Sequence, residues 1–131
     1  MIVLTALRGA LKADTSVSAA AAGGIHLLDI PQDSVRPNIM LMTVTGSDDW
    51  THSGADGLHR DIVRIYSRGD TVQSAIELAL LARAALNGLI TSAYYGVSIQ
   101  LTQHINTTGD YQDGAEVFRQ IDDYRVQYRL G

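Results

Sequence analysis

The chain has 131 residues, 46% of them apolar and 18% charged, and it contains no cysteine. That length amounts to a single domain, residues 1–131, with enough chain to bury one core, and the composition excludes disordered and fibrous classes. The lack of cysteine excludes a disulfide framework, a thiolate metal site and a cysteine nucleophile. Ten basic against fourteen acidic side chains give a formal charge of −4, which opposes a nucleic-acid-binding surface spread over the whole domain. No apolar run approaches the roughly 20 residues of a membrane span. Met1–Ala13 is apolar but carries Arg8 and Lys12 within it and no charged leader before it, so no secretory signal is expected. The expectation is a soluble, intracellularly made protein.

Val3, Leu4, Leu7 and Leu11 recur at helical spacing and predict an N-terminal helix over Ile2–Ala13, with Arg8 and Lys12 on its other side. A second short helix over Val17–Ala22 follows, capped by Asp14, Thr15 or Ser16 and stopped by Gly23-Gly24. Ile25–Ile30 reads as a short strand, Pro31–Pro37 as a turn, and Asn38–Thr45 as a second strand. Ser47–Leu58 is polar and holds two adjacent acids and the only tryptophan, which suits a loop or an irregular hairpin. In the strand His59–Ser67, Ile62 and Tyr66 share a face with Arg60, Arg64 and Arg68, while Val63 and Ile65 take the other.

Asp70–Asn87 reads as a helix, with Asp70 and Gln73 at capping-box spacing and Gly88 placed to end it. It is apolar around most of its circumference, with Gln73, Glu77 and Arg83 as sparse polar positions, so its own sheet and a further helix or subunit should both cover it. Val97–Asn106 alternates, with Val97, Ile99, Leu101 and Ile105 set against Ser98, Gln100, Thr102, His104 and Asn106. Thr107–Ala115 reads as a turn and Glu116–Leu130 as a long strand with Phe118, Tyr124, Val126 and Tyr128 in one register. The Asp122-Asp123 pair inside that strand suggests a bulge or partial exposure. The class is α+β: an antiparallel sheet of strands of mixed length packed against a long central helix, with one or two N-terminal helices.

No catalytic constellation stands out. His26, His52, His59 and His104 lie far apart without an i, i+4 partner, and no G-x-S-x-G or phosphate-cradling loop occurs. Adjacent acids on a strand point to opposite faces, so Asp122-Asp123 makes a poor acid/base dyad. No metal or other cofactor is expected. Arg60, Arg64 and Arg68 stand about 13 Å apart along one strand face. They suit either a grip on a partner's acids or a nucleic-acid backbone, or a face neutralised internally by Asp61, Asp70 or Asp123. Trp50, in its polar loop, suits either an interface anchor or a side chain tucked on the core.

The run Thr51-His52-Ser53-Gly54-Ala55-Asp56-Gly57-Leu58-His59-Arg60-Asp61-Ile62-Val63-Arg64-Ile65 resembles a THxGxxGLxRxxVxI stretch of the tail-completion family of tailed phages. In that family the stretch enters a strand that leads into an alanine-rich helix ending in LNG or LDG, like Ala84-Ala85-Leu86-Asn87-Gly88 here. Arg119 followed by Asp123-Tyr124-Arg125-Val126-Gln127-Tyr128 is similar to its closing R-x-x-x-D-Y-R-V-x-Y strand. The likeness covers nearly the whole chain; Leu89–Val97, with Tyr94-Tyr95, departs from it by being longer and more apolar.

The resemblance implies a non-enzymatic structural protein of the virion, assembled in the bacterial host cytoplasm. It implies a homo-oligomeric, hexameric ring that caps the tail tube, stops its polymerisation and joins the tail to the head connector. Its partners would be copies of itself, the tail tube protein and the head-completion or connector protein, with DNA passing through the lumen unbound and no membrane. On that reading the contact residues are Asp48, Asp49, Trp50, His52, Arg60, Arg64, Arg68, Asp110, Tyr111 and Asp113. Asp48, Asp49, Asp110 and Asp113 would line the lumen, where like charge keeps DNA from sticking. Three alternatives are another neck component such as a head-completion or stopper protein, a small ligand-binding or hydrolytic α+β domain, and an accessory nucleic-acid binder using the arginine row.

Overall fold

The computed structural model describes residues 2–29, 35–51, 54–112 and 117–130, and only the backbone at 2, 45–51, 54–57, 93, 112 and 130. In chain order it holds α1 (Ile2–Ala13), α2 (Thr15–Ala20), β1 (Ile25–Leu27), β2 (Asn38–Thr51), β3 (Gly54–Gly69), α3 (Val72–Leu86), β4 (Thr91–Tyr94), β5 (Val97–Gln112) and β6 (Val117–Leu130). The strands form one sheet in the order β1-β2-β3-β6-β5-β4. The class is α+β as expected, but the sheet is mixed, because β1 runs parallel to β2 while the other pairs are antiparallel.

The expected long central helix is a short one. α3 has 15 residues, about 22 Å at the helical rise, whereas β3 and β5 have 16 each, about 53 Å at the rise of a strand. The strands therefore carry the length of the molecule, and α3 covers only part of one face of β3, β6 and β5. α1 and α2 pack beside α3 on that same face. α1 buries Val3, Leu4, Ala6, Leu7, Ala10 and Leu11, the stripe that its spacing predicts. Asp14 caps α2 by accepting from the Val17 amide at 3.0 Å.

The cap of α3 lies one residue beyond the one expected. Thr71 is the N-cap, its Oγ1 accepts from the Ser74 amide at 3.0 Å, and Ser74 Oγ accepts from the Thr71 amide at 3.3 Å. The Asp70 carboxylate instead accepts from Arg36 at 2.6 Å. Gly88, at φ +83°, follows the helix in the left-handed conformation, as its position suggested.

Two expected loops are paired strands. The Ser47–Leu58 stretch is the hairpin option: β2 and β3 stay paired out to Thr51 opposite Gly54, with register shifts between Thr43 and Thr45 and between Asp48 and Trp50. β5 runs through the expected Thr107–Ala115 turn as far as Gln112, which pairs with Val117, and 113–116 lie outside the described residues. At the chain's other end, β1 stops at Leu27, since Leu28 turns to φ +66°. Of the Pro31–Pro37 turn, 31–34 lie outside the described residues.

The faces of β3 separate as predicted, with Asp61, Val63, Ile65 and Ser67 buried and Arg60, Ile62, Arg64, Tyr66 and Arg68 turned outward. β5 departs from simple alternation. Register shifts between Ile99 and Leu101 and between His104 and Asn106 each insert one extra residue. Each insertion flips the strand's faces, so Val97, Ile99, Thr102 and His104 all turn toward the helices. β6 pairs with β3 without a shift, so the irregularity suspected at Asp122-Asp123 belongs to the strand opposite. Both acids are buried. The longer Leu89–Val97 segment is β4 and a tight turn through Tyr95 and Gly96, both at positive φ.

The capping assignment is open to measurement. Thr71→Ala should lower the unfolding free energy in urea by about 1 kcal/mol. Asp70→Ala, which removes only an exposed ion pair, should change it by less than about 0.5 kcal/mol.

Candidate interaction surfaces

The two long hairpins point to opposite ends of the sheet. Leu58 lies opposite Arg129 and Gly69 opposite Phe118, so the β2–β3 tip projects at one end and the β5–β6 tip at the other. The backbone places Asp48, opposite His59, together with Asp49 and Trp50 on the first arm. Asp110, opposite Arg119, and Tyr111, opposite Phe118, belong to the second arm. His52 and Asp113 lie outside the described residues. Of the acids expected to share a lumen, Asp48 and Asp49 thus lie toward one end and Asp110 toward the other.

The outward face of β3 carries the arginine row. Arg64 grips its cross-strand neighbour Asp123 with two hydrogen bonds, Nε to Oδ1 at 2.9 Å and Nη2 to Oδ2 at 3.3 Å. That contact, followed by one with Tyr66, raises the guanidinium's pKa further above its usual range. Of the three acids expected to neutralise the row, Asp123 does so. Asp70 serves Arg36 instead. Asp61 faces the other way, buried, and accepts from the Tyr128 hydroxyl at 2.9 Å. Arg119 lies 5.0 Å above the Tyr66 ring and holds Asp110 by two hydrogen bonds. This contact drops the Asp110 pKa below the usual carboxylate range and raises that of Arg119. Arg68 stands opposite Arg119 and, among the described residues, reaches the Asn38 side-chain oxygen at 3.5 Å.

On the helix side lies a polar knot that sequence reasoning missed. Asp122, 1% exposed, receives Arg83 Nη2 at 3.1 Å, His104 Nε2 at 3.0 Å and the Thr107 hydroxyl at 2.5 Å, all on Oδ1. Arg83 also donates to Thr107 Oγ1 at 2.9 Å, and His104 Nε2 lies 2.8 Å from the same oxygen. His104 is therefore half-buried and engaged, where a solvent-facing strand residue was expected. Beside the knot the Tyr124 hydroxyl is buried without a hydrogen-bond partner among the described residues, and burial above all, with Asp122 next, raises its pKa. The arrangement is not a nucleophilic triad, since His104 presents one and the same nitrogen to both the acid and the hydroxyl. Two features of the sequence carry the signal: a lone Arg83 in an apolar helix needs a buried acid, and the Asp122-Asp123 pair supplies one to each face.

A groove of about 340 Å³ runs between the first turns of α3 and the far ends of β5 and β6. Val72, Ala75 and Ile76 form one wall and Tyr111 and Phe118, their rings 4.6 Å apart, the other. α3 turns Ala75, Leu78, Ala79, Ala82 and Leu86 onto the fold but leaves Val72, Ile76 and Leu80 between 40% and 52% exposed. The groove's two charged side chains, Asp110 and Arg119, are spent on each other, so no convergent polar set marks it as a substrate pocket. Of the histidines, His26 bonds the Gly23 carbonyl at 2.8 Å and His59 stacks on Tyr128 at 5.1 Å. Among the described residues, no group of three or more ligands could hold a metal ion.

Comparison with known proteins adds two findings. Residues 5–128 match the family described as Tail completion protein gp17. A solved chain from the virion of a native gene transfer agent (GTA) particle shares the fold, with a TM-score of 0.74 at 15% identity over 94% of this chain and 91% of that one. No curated protein matches.

Removing the Asp122 carboxylate strands the Arg83 cation against the sheet, so Asp122→Ala should cost about 2–4 kcal/mol by urea denaturation. The Asp110–Arg119 pair is half-exposed and contributes less, about 1 kcal/mol at most. Because the folded chain depresses the Asp110 pKa, its contribution is present above the ordinary value of 3.8 and lost as pH falls through the depressed one. Asp110→Asn should therefore differ from wild type at pH 7, and the difference should shrink as pH is taken below 3.8, in parallel urea titrations.

Proposed function

This chain belongs to the Tail completion protein gp17 family, and from that membership we propose that it closes the head-proximal end of a phage tail tube as a homo-oligomeric ring. As a member of the family it is a structural tail protein whose place is the virion, where it assembles with other phage structural proteins. The ring would be a hexamer. It would stop tube polymerisation on one side and offer the head connector a surface on the other, with DNA crossing the lumen unbound. The gene transfer agent particle that houses its structural neighbour is a setting of the same kind.

The observation that carries the ring reading is a pair of open strand edges on opposite margins of one sheet. β1 pairs only with Ile39–Leu41 of β2, and the β4 pairs on β5 are limited to Val97 and Ile99. Among the described residues the rest of both margins has no neighbouring strand. Long open edges are a liability for a solitary chain and a resource for one that assembles. Two different surfaces at opposite margins suit head-to-tail contacts, which close into a ring when the rotation per subunit completes a circle. The apolar stripe Val72-Ile76-Leu80 on α3 adds area of the kind that obligate interfaces bury.

Electron microscopy of particles from cells lacking this gene tests the proposal. Overlong tail tubes without heads are expected. Normal-length tails lying free beside DNA-filled heads would reduce the role to joining, as a neck component of another kind would have it. Normal-length tails still joined to heads would overturn both.

A further inference from the structure

Among the described residues, Arg68 is a cation that no carboxylate answers. It is half-buried on the outward face of β3, directly opposite Arg119 in the ladder. Its neighbours spend their charges within the chain: Arg36 on Asp70, Arg64 on Asp123 and Arg119 on Asp110. Among the described residues no carboxylate lies within ion-pair distance of Arg68, and Asn38 at 3.5 Å is a long, neutral contact. Burial first, then the charges of Arg36 and Arg119, push its pKa down. A partly dehydrated guanidinium among like charges is unfavourable unless an anion from outside completes it.

We propose that Arg68 receives a carboxylate from a neighbouring copy of this chain, supplied by Asp48 and Asp49 on that copy's β2–β3 arm. The site rests on the ring reading and names the contact that would build it. The chain has two adjacent acid pairs. Asp122-Asp123 is buried within its own subunit, on Arg83 and Arg64. Asp48-Asp49 lies about ten residues along β2 from Asn38, the residue opposite Arg68, or roughly 33 Å of strand. An acidic site and a cationic site at opposite ends of one sheet attract when the acidic end of one copy meets the cationic end of the next, once per contact in a ring or twice in a two-fold pair, and the ring reading selects the first. Heterologous contacts of this kind are those that build rings. DNA is the poorer occupant, since tracking a duplex takes several free cations, the chain carries −4, and Arg36, Arg64 and Arg119 are already engaged. The same two acids cannot also stand free in the lumen, so the contact replaces that role for them.

The test counts copies of the protein per tail, by quantitative mass spectrometry, in particles from cells whose gene carries each variant. Arg68→Glu is expected to lower the count about tenfold, with Arg68→Gln between it and wild type. The triple variant R68E/D48R/D49R, which exchanges the charges, should return it to about the wild-type count. Because Arg68 makes no ion pair among the described residues, the purified variants should melt with wild type, and Arg68→Gln decides should Arg68→Glu fail to fold. Wild-type counts for Arg68→Glu would overturn the site and leave the ring standing. A triple variant as depleted as Arg68→Glu, though folded, would overturn the self-contact. Intact counts with altered DNA release would assign the guanidinium to the DNA backbone and likewise overturn it. A single copy per tail in wild type would overturn the ring itself.

Discussion

The geometry of this sheet depends on one buried carboxylate. Asp122 sits on β6 beneath α3, and its Oδ1 accepts from Arg83 on the helix and from His104 and Thr107 on β5. Burying an ionised group is unfavourable by several kcal/mol unless its partners are fixed, so all three elements must hold their relative positions together. The partners could not meet on a regular strand. His104 and Thr107 are three residues apart and would point to opposite faces, and the extra residue at Ile105 brings both to the helix side. Ile105 itself is left 40% exposed. The bulge, the histidine and the lone arginine of an apolar helix thus share a single cause.

That knot also explains how so short a helix stabilises such long strands. α3 spans about 22 Å, and the hairpins run well past it. The C-terminal half of α3 is tied to β5 through Asp122, through Asn87 Oδ1 accepting from the His104 amide at 3.0 Å, and through the Gly88 amide donating to the Thr102 carbonyl at 2.7 Å. On the opposite face Arg64 and Asp123 staple β3 to β6. The two central strands are thereby pinned from both sides at one level, through neighbouring residues of β6. Beyond that level β2 and β5 extend as arms with edges open, and the middle of the sheet serves as the platform that aims them.

Much of this was legible in the sequence, and the remainder follows a pattern. The α1 stripe, the alternation of β3 and the register of Phe118, Tyr124, Val126 and Tyr128 were readable because each is decided by burial on one regular element. The Asp70–Gln73 spacing misled because Thr71–Ser74 offers the same chemistry one residue later, and Arg36, distant in sequence, claims Asp70. Ser47–Leu58 read as a loop or an irregular hairpin and Thr107–Ala115 as a turn because Gly, Asp and Thr dominate them, yet both are largely paired, since a long partner strand can hold polar residues that have no propensity of their own. The β5 bulges were invisible because alternation presumes a constant register. The shared strand face of Arg60, Arg64 and Arg68 was readable, but which arginines are already engaged depended on pairings across 34 and 59 residues.

Charge placement links the fold to assembly. A net charge of −4 says little by itself, because the acids that balance the outward arginines are consumed locally: Asp70, Asp110 and Asp123 each hold one guanidinium. On the proposed contact, what a neighbouring copy meets is Arg68 at one end of β3 and the Asp48-Asp49 stretch of β2 toward the other, which would make the chain polar along its own sheet. Apolar area such as Val72, Ile76 and Leu80 can hold two copies together in many orientations, whereas opposite charges at opposite ends favour those that bring unlike ends together. The direction of the contact, more than its strength, decides whether copies pair off or close into a ring.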